Sequence, residues 1–516
     1  MGTLSWQLHK GHYIWPGRLP ESVSKALGAQ QSIKDGKVIG YVCRASIPNY
    51  RTIRYIGMEV ASPTESPEWD WPGQYEPMRH QRKTVASILA HPRSFVLDDP
   101  GTGKTLSAIW GLDAMRRLGA CRRTLIVAPK SIIYGVWRDE LFLTTDWRVG
   151  NLVGKTRDRR QAMVKDPRNE VLLVNPESLH SIAEVVEDLD SIIVDEFTAF
   201  KTYSTKRSAA LRGLVAKFSP WLVMMSGTPA PQGPADAYHP IKLVNPKAQR
   251  MTKRVWQDMT EIKVSEFTWV PKPDAQKTLT KWLQPGTRTS REEAIDLPTL
   301  QTLTRRYEIT KQQDKAIRDM KAQAQAETEE GTITAANAAV AASKMLQILT
   351  GHVRMTDPHT EEEISYSLPA RTWLEAVEEV VDERHDPVLI FVPFRAAATA
   401  LGKHLACPVV MGDTDQEERQ QIYREINAGE VRAVVAVAAT MSHGLTLTGS
   451  NCVLWALPPA SAEQYQQANA RVYRKGQVKP VDIIHLVGHD FVQALFARTD
   501  KRVKLQQAVL DALAVI

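Results

Sequence analysis

Five short, unbroken apolar runs punctuate residues 75–248: Phe95–Leu97, Thr124–Ala128, Val171–Val174, Ser191–Val194 and Trp221–Met225. Stretches with apolar residues at helical spacing separate them. A run of three to five apolar residues without alternation leaves no face for water, so each predicts a strand buried on both sides. Such strands alternating with helices predict a parallel, doubly wound α/β sheet. A second block of the same texture begins near Arg371, with strands expected at Val388–Val392, Pro408–Met411, Val431–Val437, Cys452–Trp455 and Val481–Leu486. The fold class expected is α/β, two parallel-sheet lobes in tandem (75–248 and 369–490).

The remaining stretches read differently. Lys37 to Cys43 alternates, which predicts a small β-rich accessory module over residues 1 to about 60 (1–70 with its linker), followed by a Pro-rich connector containing Pro63, Pro67 and Pro72. Its Trp6, Tyr13, Trp15, Tyr41 and Tyr50 either fill a small core or, with Lys10, Arg18, Arg44, Arg51 and Arg54, form a nucleic-acid surface. Residues 249–368, with Trp256, Trp269, Trp282 and an Ala/Glu/Gln-rich span from Lys321 to Lys344, predict a helical insertion between the lobes. One or two helices are expected over 491–516.

Each strand of the first lobe ends in polar or turn-forming residues. Ligands of open α/β sheets bind at the carboxyl ends of the strands, so these five turns are expected along one crevice. The first is the most telling. Ser94 to Thr105 reads strand, glycine-containing loop, helix start, with Gly101, Thr102, Gly103, Lys104 and Thr105 in the G-x-G-K-T form and Asp98 where the strict P-loop has glycine. Glycines let backbone N–H groups face an anion, Lys104 reaches terminal phosphates and the Thr105 hydroxyl suits magnesium. An ordinary strand–turn–helix connection has the same order. Asp195-Glu196 follows Ile192-Ile193-Val194 about 90 residues later. A strand-end Asp holds magnesium and the adjacent Glu activates water. Gln81, beside Arg79 and upstream of the loop, offers the donor and acceptor that an adenine edge needs. Arg471 and Arg474, three apart on an expected helix, share a face and stabilise phosphoryl charge.

Composition narrows the setting. The 516 residues exceed one core, and 43% apolar with 24% charged content is that of a soluble globular protein. A net charge of +7 leans toward a polyanionic partner. Cys43, Cys121, Cys407 and Cys452 have no paired spacing, which points to a reducing, cytoplasmic setting, and no apolar run is long enough to span a bilayer.

In this order the motifs resemble superfamily two helicase-type motors, specifically the Swi/Snf-type DNA translocases, over roughly residues 75–490. The resemblance implies two RecA-like lobes, ATP with Mg2+, and double-stranded DNA as partner. Arg79 and Gln81 match the adenine-reading motif, and Gly101 to Thr105 match motif I, with Thr105 and Asp195 on the metal. Asp195-Glu196-Phe197-Thr198 with Lys201 resembles motif II. Lys130 and Ser131 (motif Ia), Ser178 (Ib), and Ser442 and Thr446 (V) are implied to grip DNA phosphates. Ser226, Thr228 and Gln232 (motif III) and Gln467 (VI) are implied to couple the two activities, and Arg471 and Arg474 to act as arginine fingers. Thr198, His443 and Ala470 depart from the family's usual His, small residue and Gly. The compact chain suggests a bacterial or viral source. The function expected is an ATP-dependent motor on duplex DNA; the alternatives are a nucleotide-switched DNA-binding or annealing protein, and an RNA helicase.

Overall fold

The computed structural model describes residues 5–264, 269–294, 298–329, 335–356, 363–440, 446–474 and 476–500. The chain divides into two bodies at Ala294/Ile295.

The first body opens on an antiparallel sheet of β1 (Gln7–His9), β2 (His12–Trp15), β3 (Gln30–Lys34) and β4 (Lys37–Arg44), in the order β1-β2-β4-β3. Asp35 and Gly36, both at positive φ, make the tight turn between β3 and β4 that the twist of a two-residue hairpin requires. The module's aromatics are core: Tyr13 is fully buried, and Trp6, Trp15, Tyr41 and Tyr50 nearly so. They share one apolar cluster with Val85, Ile88 and Leu89 of the helix Arg79–Ala90, so the module is built onto the lobe.

The lobe's own sheet holds β5 (Arg93–Val96), β6 (Thr124–Val127), β7 (Val149–Asn151), β8 (Val171–Val174), β9 (Ser191–Asp195) and β10 (Trp221–Met225). A short hairpin, β11 (Glu261–Lys263) and β12 (Trp269–Pro271), precedes a seventh strand of the sheet, β13 (Gly286–Thr287). The order is β13-β5-β10-β9-β6-β8-β7, parallel throughout. Every residue of β6, β8 and β9 is buried, which explains the absence of alternation in those runs. In register, Met225 lies beside both Val96 and Asp195, and Val127 beside both Val194 and Val174. The five strand-end turns therefore do share one edge, as the sequence led us to expect.

The second body's sheet comprises β14 (Leu300–Arg306), β17 (Val388–Val392), β18 (Val409–Val410), β19 (Ala433–Val437), β20 (Cys452–Trp455) and β21 (Val481–Val487). Its order is β14-β21-β20-β17-β19-β18, again all parallel, with a separate hairpin of β15 (His352–Thr356) and β16 (Glu363–Ser367). The helices Lys311–Glu329 and Ala335–Leu349 pack together. Ile317, Leu346, Ile348 and Leu349 reach the body's core, and Gln313 donates to the Ile348 and Leu349 carbonyls. The chain is helical over 490–500, with Phe496 buried against the stacked ring of His485.

One boundary differs from the expectation. Residues 249–368 do not stand as an insertion of their own but are shared between the bodies. Trp256 is fully buried in the first lobe's core, its indole donating to the Pro234 carbonyl, and β13 completes that lobe's sheet. β14, mostly exposed and polar, is an edge strand of the other sheet, so its sequence lacks the apolar signature of its neighbours.

Two buried histidines should make the fold acid-sensitive. Burial pushes His239 in the first body and His485 in the second down from the ordinary 6.5 to about 4; the second hydrogen-bonds the Tyr465 hydroxyl at 2.8 Å. A depressed folded pKa means stability is complete above pH 6.5 and is lost as pH falls toward 4, by up to about 1.4 kcal/mol per pH unit for each group. Thermal midpoints measured from pH 7.5 to 4.5 should fall below 6.5, and His485→Gln should flatten the second body's part of that fall.

Candidate active site

The P-loop connects β5 to the helix Lys104–Arg117 through backbone only glycine takes readily: φ is +90° at Gly101 and +82° at Gly103. A Cβ on Gly103 would lie 2.4 Å from the Gln81 side-chain nitrogen. Gln81 is buried, donating to the Gly103 carbonyl at 3.3 Å and accepting from the Met78 N–H at 2.9 Å, while His80 bonds the Thr102 carbonyl at 2.8 Å. The segment expected to read adenine thus braces the phosphate loop, and Arg79 is the exposed member of the set. Lys104 donates to the carbonyls of Asp98 and Asp99 at 2.8 and 3.0 Å. Burial pulls its pKa down, against the opposing fields of Glu196, Asp195, Asp98 and Asp99. Thr105 is half-buried at the start of the helix.

The acidic pair ends β9. Asp195 is buried, accepting from the Trp137 indole at 2.8 Å and from the Glu196 N–H at 3.1 Å. Burial, then the charge of Glu196, raises its pKa. Trp137 arrives from a π-helical stretch, Ile133–Arg138, that continues the turn carrying Lys130 and Ser131. The irregular winding aims the ring at the carboxylate. Glu196 sits at φ +51°, left-handed backbone that costs a non-glycine residue about 1–3 kcal/mol. It is held there by Ser226, whose hydroxyl donates to Glu196 Oε2 at 3.1 Å and accepts from the Thr228 N–H at 3.1 Å. Gly227 packs on the P-loop, a Cβ there falling 2.7 Å from Pro100 Cδ. Lys201 pairs with Asp236 at 3.4 Å, and Asp236 also accepts from the exposed Gln232's N–H at 2.8 Å.

Behind the loop runs β13 and its continuation. Leu97 and Asp99 donate to the carbonyls of Thr287 and Thr289, and Arg288, its side chain fully buried, pairs with Asp99 at 2.9 Å. Arg291 donates to Asp99 Oδ2 from its N–H and to the Pro100 carbonyl from Nε.

In the second body, Arg471 lies in the last turn of the helix Ala462–Val472 and is buried. Arg474 lies past the helix end and is half-exposed, so the pair does not share a helical face as expected. Gln467 is buried, donating to Glu463. Lys130, Ser131 and Thr446 are exposed at strand-end turns, and Ser178 is half-buried. Ser442 and His443 lie outside the described residues.

Residues 79–357 match the SNF2-related domain, more than half of the chain, and residues 373–476 match the helicase conserved C-terminal domain. The chain belongs to the SNF2-related family. By its two modules it is a superfamily two, helicase-like, DNA-dependent ATPase. It is 25% identical over 471 residues to protein p41 of Acyrthosiphon pisum secondary endosymbiont phage 1, covering 85% of this chain and 99% of that one. It is 23% identical to the chromatin remodeling factor mit1 of Schizosaccharomyces pombe, covering 82% of this chain but 32% of that one. Among solved structures it is similar to the Sulfolobus solfataricus SWI2/SNF2 ATPase core in complex with dsDNA, at 19% identity and a TM-score of 0.41, covering 86% and 95% of the two chains.

Within this SNF2-related ATPase, sequence reasoning singled out the residues that converge on the first lobe's edge: Lys104, Thr105, Asp195, Glu196, Ser226 and Thr228. It missed Trp137, Arg288 and Arg291. A lone Trp in an apolar helix carries no signal of its role, and Arg288 sat in a stretch taken for an insertion. The bond from Ser226 predicts a clean kinetic effect. Ser226→Ala should leave KM for ATP within about twofold and lower kcat about tenfold, equivalent to ~1.4 kcal/mol. Steady-state ATPase measurements check both.

Proposed function

We propose that the chain is an ATP-driven motor that binds duplex DNA and moves along or remodels it. The observation that carries this reading is the grouping of polar residues at one edge of the first lobe: Lys104 under the glycine loop, Asp195 and Glu196 at the end of β9, and Ser226 joining Glu196 to the next turn. ATP phosphates fit the N–H groups of Gly101 to Thr105 at the helix start, where the helix dipole favours negative charge. Lys104 would exchange its two carbonyl partners for phosphate oxygens.

The donor set also suits magnesium. Asp195 is a buried carboxylate whose pKa is raised by burial and by its acidic neighbour, and a divalent cation beside it relieves both influences. Thr105 and Asp195 would hold that ion, which supplies charge neutralisation at the phosphates. Glu196, oriented by Ser226, takes the proton from the attacking water. Arg471 and Arg474 supply positive charge to the transferring phosphoryl group. Lys130, Ser131, Ser178, Ser442 and Thr446 grip the DNA backbone, which makes binding sequence-blind and salt-dependent. The family membership and the net charge of +7 support a nucleic-acid track.

ATP turnover by the purified protein should rise with duplex DNA, exceed that with RNA, and vanish in Lys104→Ala. Glu196→Gln should keep nucleotide binding while lowering kcat at least about a hundredfold, the scale of losing a general base. In a triplex-displacement assay on duplex DNA the wild type should strip the third strand only with ATP. ATP binding without turnover would instead establish the nucleotide-switched binding or annealing protein.

A further inference from the structure

Arg288 is an anomaly for a residue outside every motif. Its side chain has no solvent exposure, and its Nε and Nη2 have no hydrogen-bond partner among the described residues. Among the described residues its hydrogen bonds pass through Nη1, to the carbonyls of Leu97 (3.3 Å) and Thr289 (2.7 Å), and the same nitrogen forms an ion pair with Asp99 Oδ1 at 2.9 Å. Burying a guanidinium with idle donors is destabilising, and a well-packed apolar residue would serve a fold as well. The cost therefore marks a demand at Asp99.

Asp99 is where the phosphate loop turns. Its carbonyl accepts both from Lys104 and from the Thr102 hydroxyl, the latter at 2.8 Å, so the orientation of this one peptide sets the lysine and the loop together. Its carboxylate is held at both oxygens, Oδ1 by Arg288 and Oδ2 by the Arg291 N–H at 2.9 Å. Its own N–H donates to the Thr289 carbonyl at 3.1 Å. Residue 99 is thus pinned at N–H, carbonyl and carboxylate, and two of those three pins come from the strap at 288–291.

We propose that Arg288 is a positioning residue for the nucleotide: by pairing with Asp99 it holds the P-loop backbone in the shape that receives phosphate. This rests on the ATP-site reading above and adds to it a residue some 190 positions away in sequence. It acts on affinity more than on the chemical step, because its partners are Leu97, Thr289 and Asp99 on the loop side rather than Glu196.

The test measures equilibrium binding of a fluorescent N-methylanthraniloyl ATP analogue, with KM and kcat for ATP and a thermal melt for each variant. Arg288→Gln and Asp99→Asn should each weaken analogue binding and raise KM about tenfold, with kcat within about threefold. Arg288→Lys, whose ammonium carries three hydrogens on one nitrogen for the same three acceptors, should recover most of the affinity. The double variant Arg288→Gln/Asp99→Asn should be no worse than either single one. If the variants melt earlier but bind the analogue and ATP as the wild type does, Arg288 is a fold brace and the proposal is overturned. Additive losses in the double variant, or an equal loss for Lys and Gln, overturn it too. Because analogue binding needs no DNA and no turnover, a wild type that binds but never hydrolyses defeats the motor and leaves this pair open to the same measurement; a wild type that binds no analogue defeats both.

Discussion

A lysine ammonium that has lost much of its water is unfavourable unless negative charge surrounds it, and several carboxylates crowded together are unfavourable unless a cation joins them. The first lobe is arranged around that mutual need. Lys104 loses solvation at the foot of the glycine loop, and Glu196, Asp195, Asp98 and Asp99 hold its charge in place. The carboxylates come from two strand ends that adjoin only through β10, and the parallel register brings them to one level. The lysine rests on the loop's own carbonyls, a set of acceptors that phosphate oxygens can replace.

Around this centre the neighbouring motifs act as braces as much as ligands. His80 and Gln81 grip the loop at Thr102 and Gly103, Gly227 lets the end of β10 close onto Pro100, and Ser226 ties Glu196 to that same turn. Trp137 reaches Asp195 from the segment that also presents Lys130 and Ser131 at the surface. A displacement of that segment would be felt at the acidic pair through a single indole N–H, a short physical link from the exposed Lys130 and Ser131 to Asp195. The strained backbone of Glu196 fits the same pattern, since it persists only where surrounding contacts over-determine it.

Much of this was legible in the chain alone. Unbroken apolar runs such as Val171–Val174 and Val388–Val392 became strands at those bounds, because a strand buried on both faces leaves no room for polar residues. The Gly-x-Gly-Lys-Thr loop and the acidic pair were readable because phosphate chemistry needs those groups at fixed local offsets. Where the signal is a local pattern, a sequence states it outright.

Tertiary structure decided what local pattern does not encode. The exposed edge strand β14 carries polar residues and so reads as part of a helical insertion, and β13 is two residues long. The aromatics of the N-terminal module fill a core shared with the lobe, which composition left open. The helix ends at Val472, before Arg474, so two arginines spaced for one face do not occupy one. Above all, Asp99 meets Arg288 and Arg291 across roughly 190 residues of chain, and only folding brings such partners together. The sequence by itself determined which chemistry this protein carries; the fold determined which groups hold that chemistry in shape, because positioning depends on contacts between residues far apart in the chain.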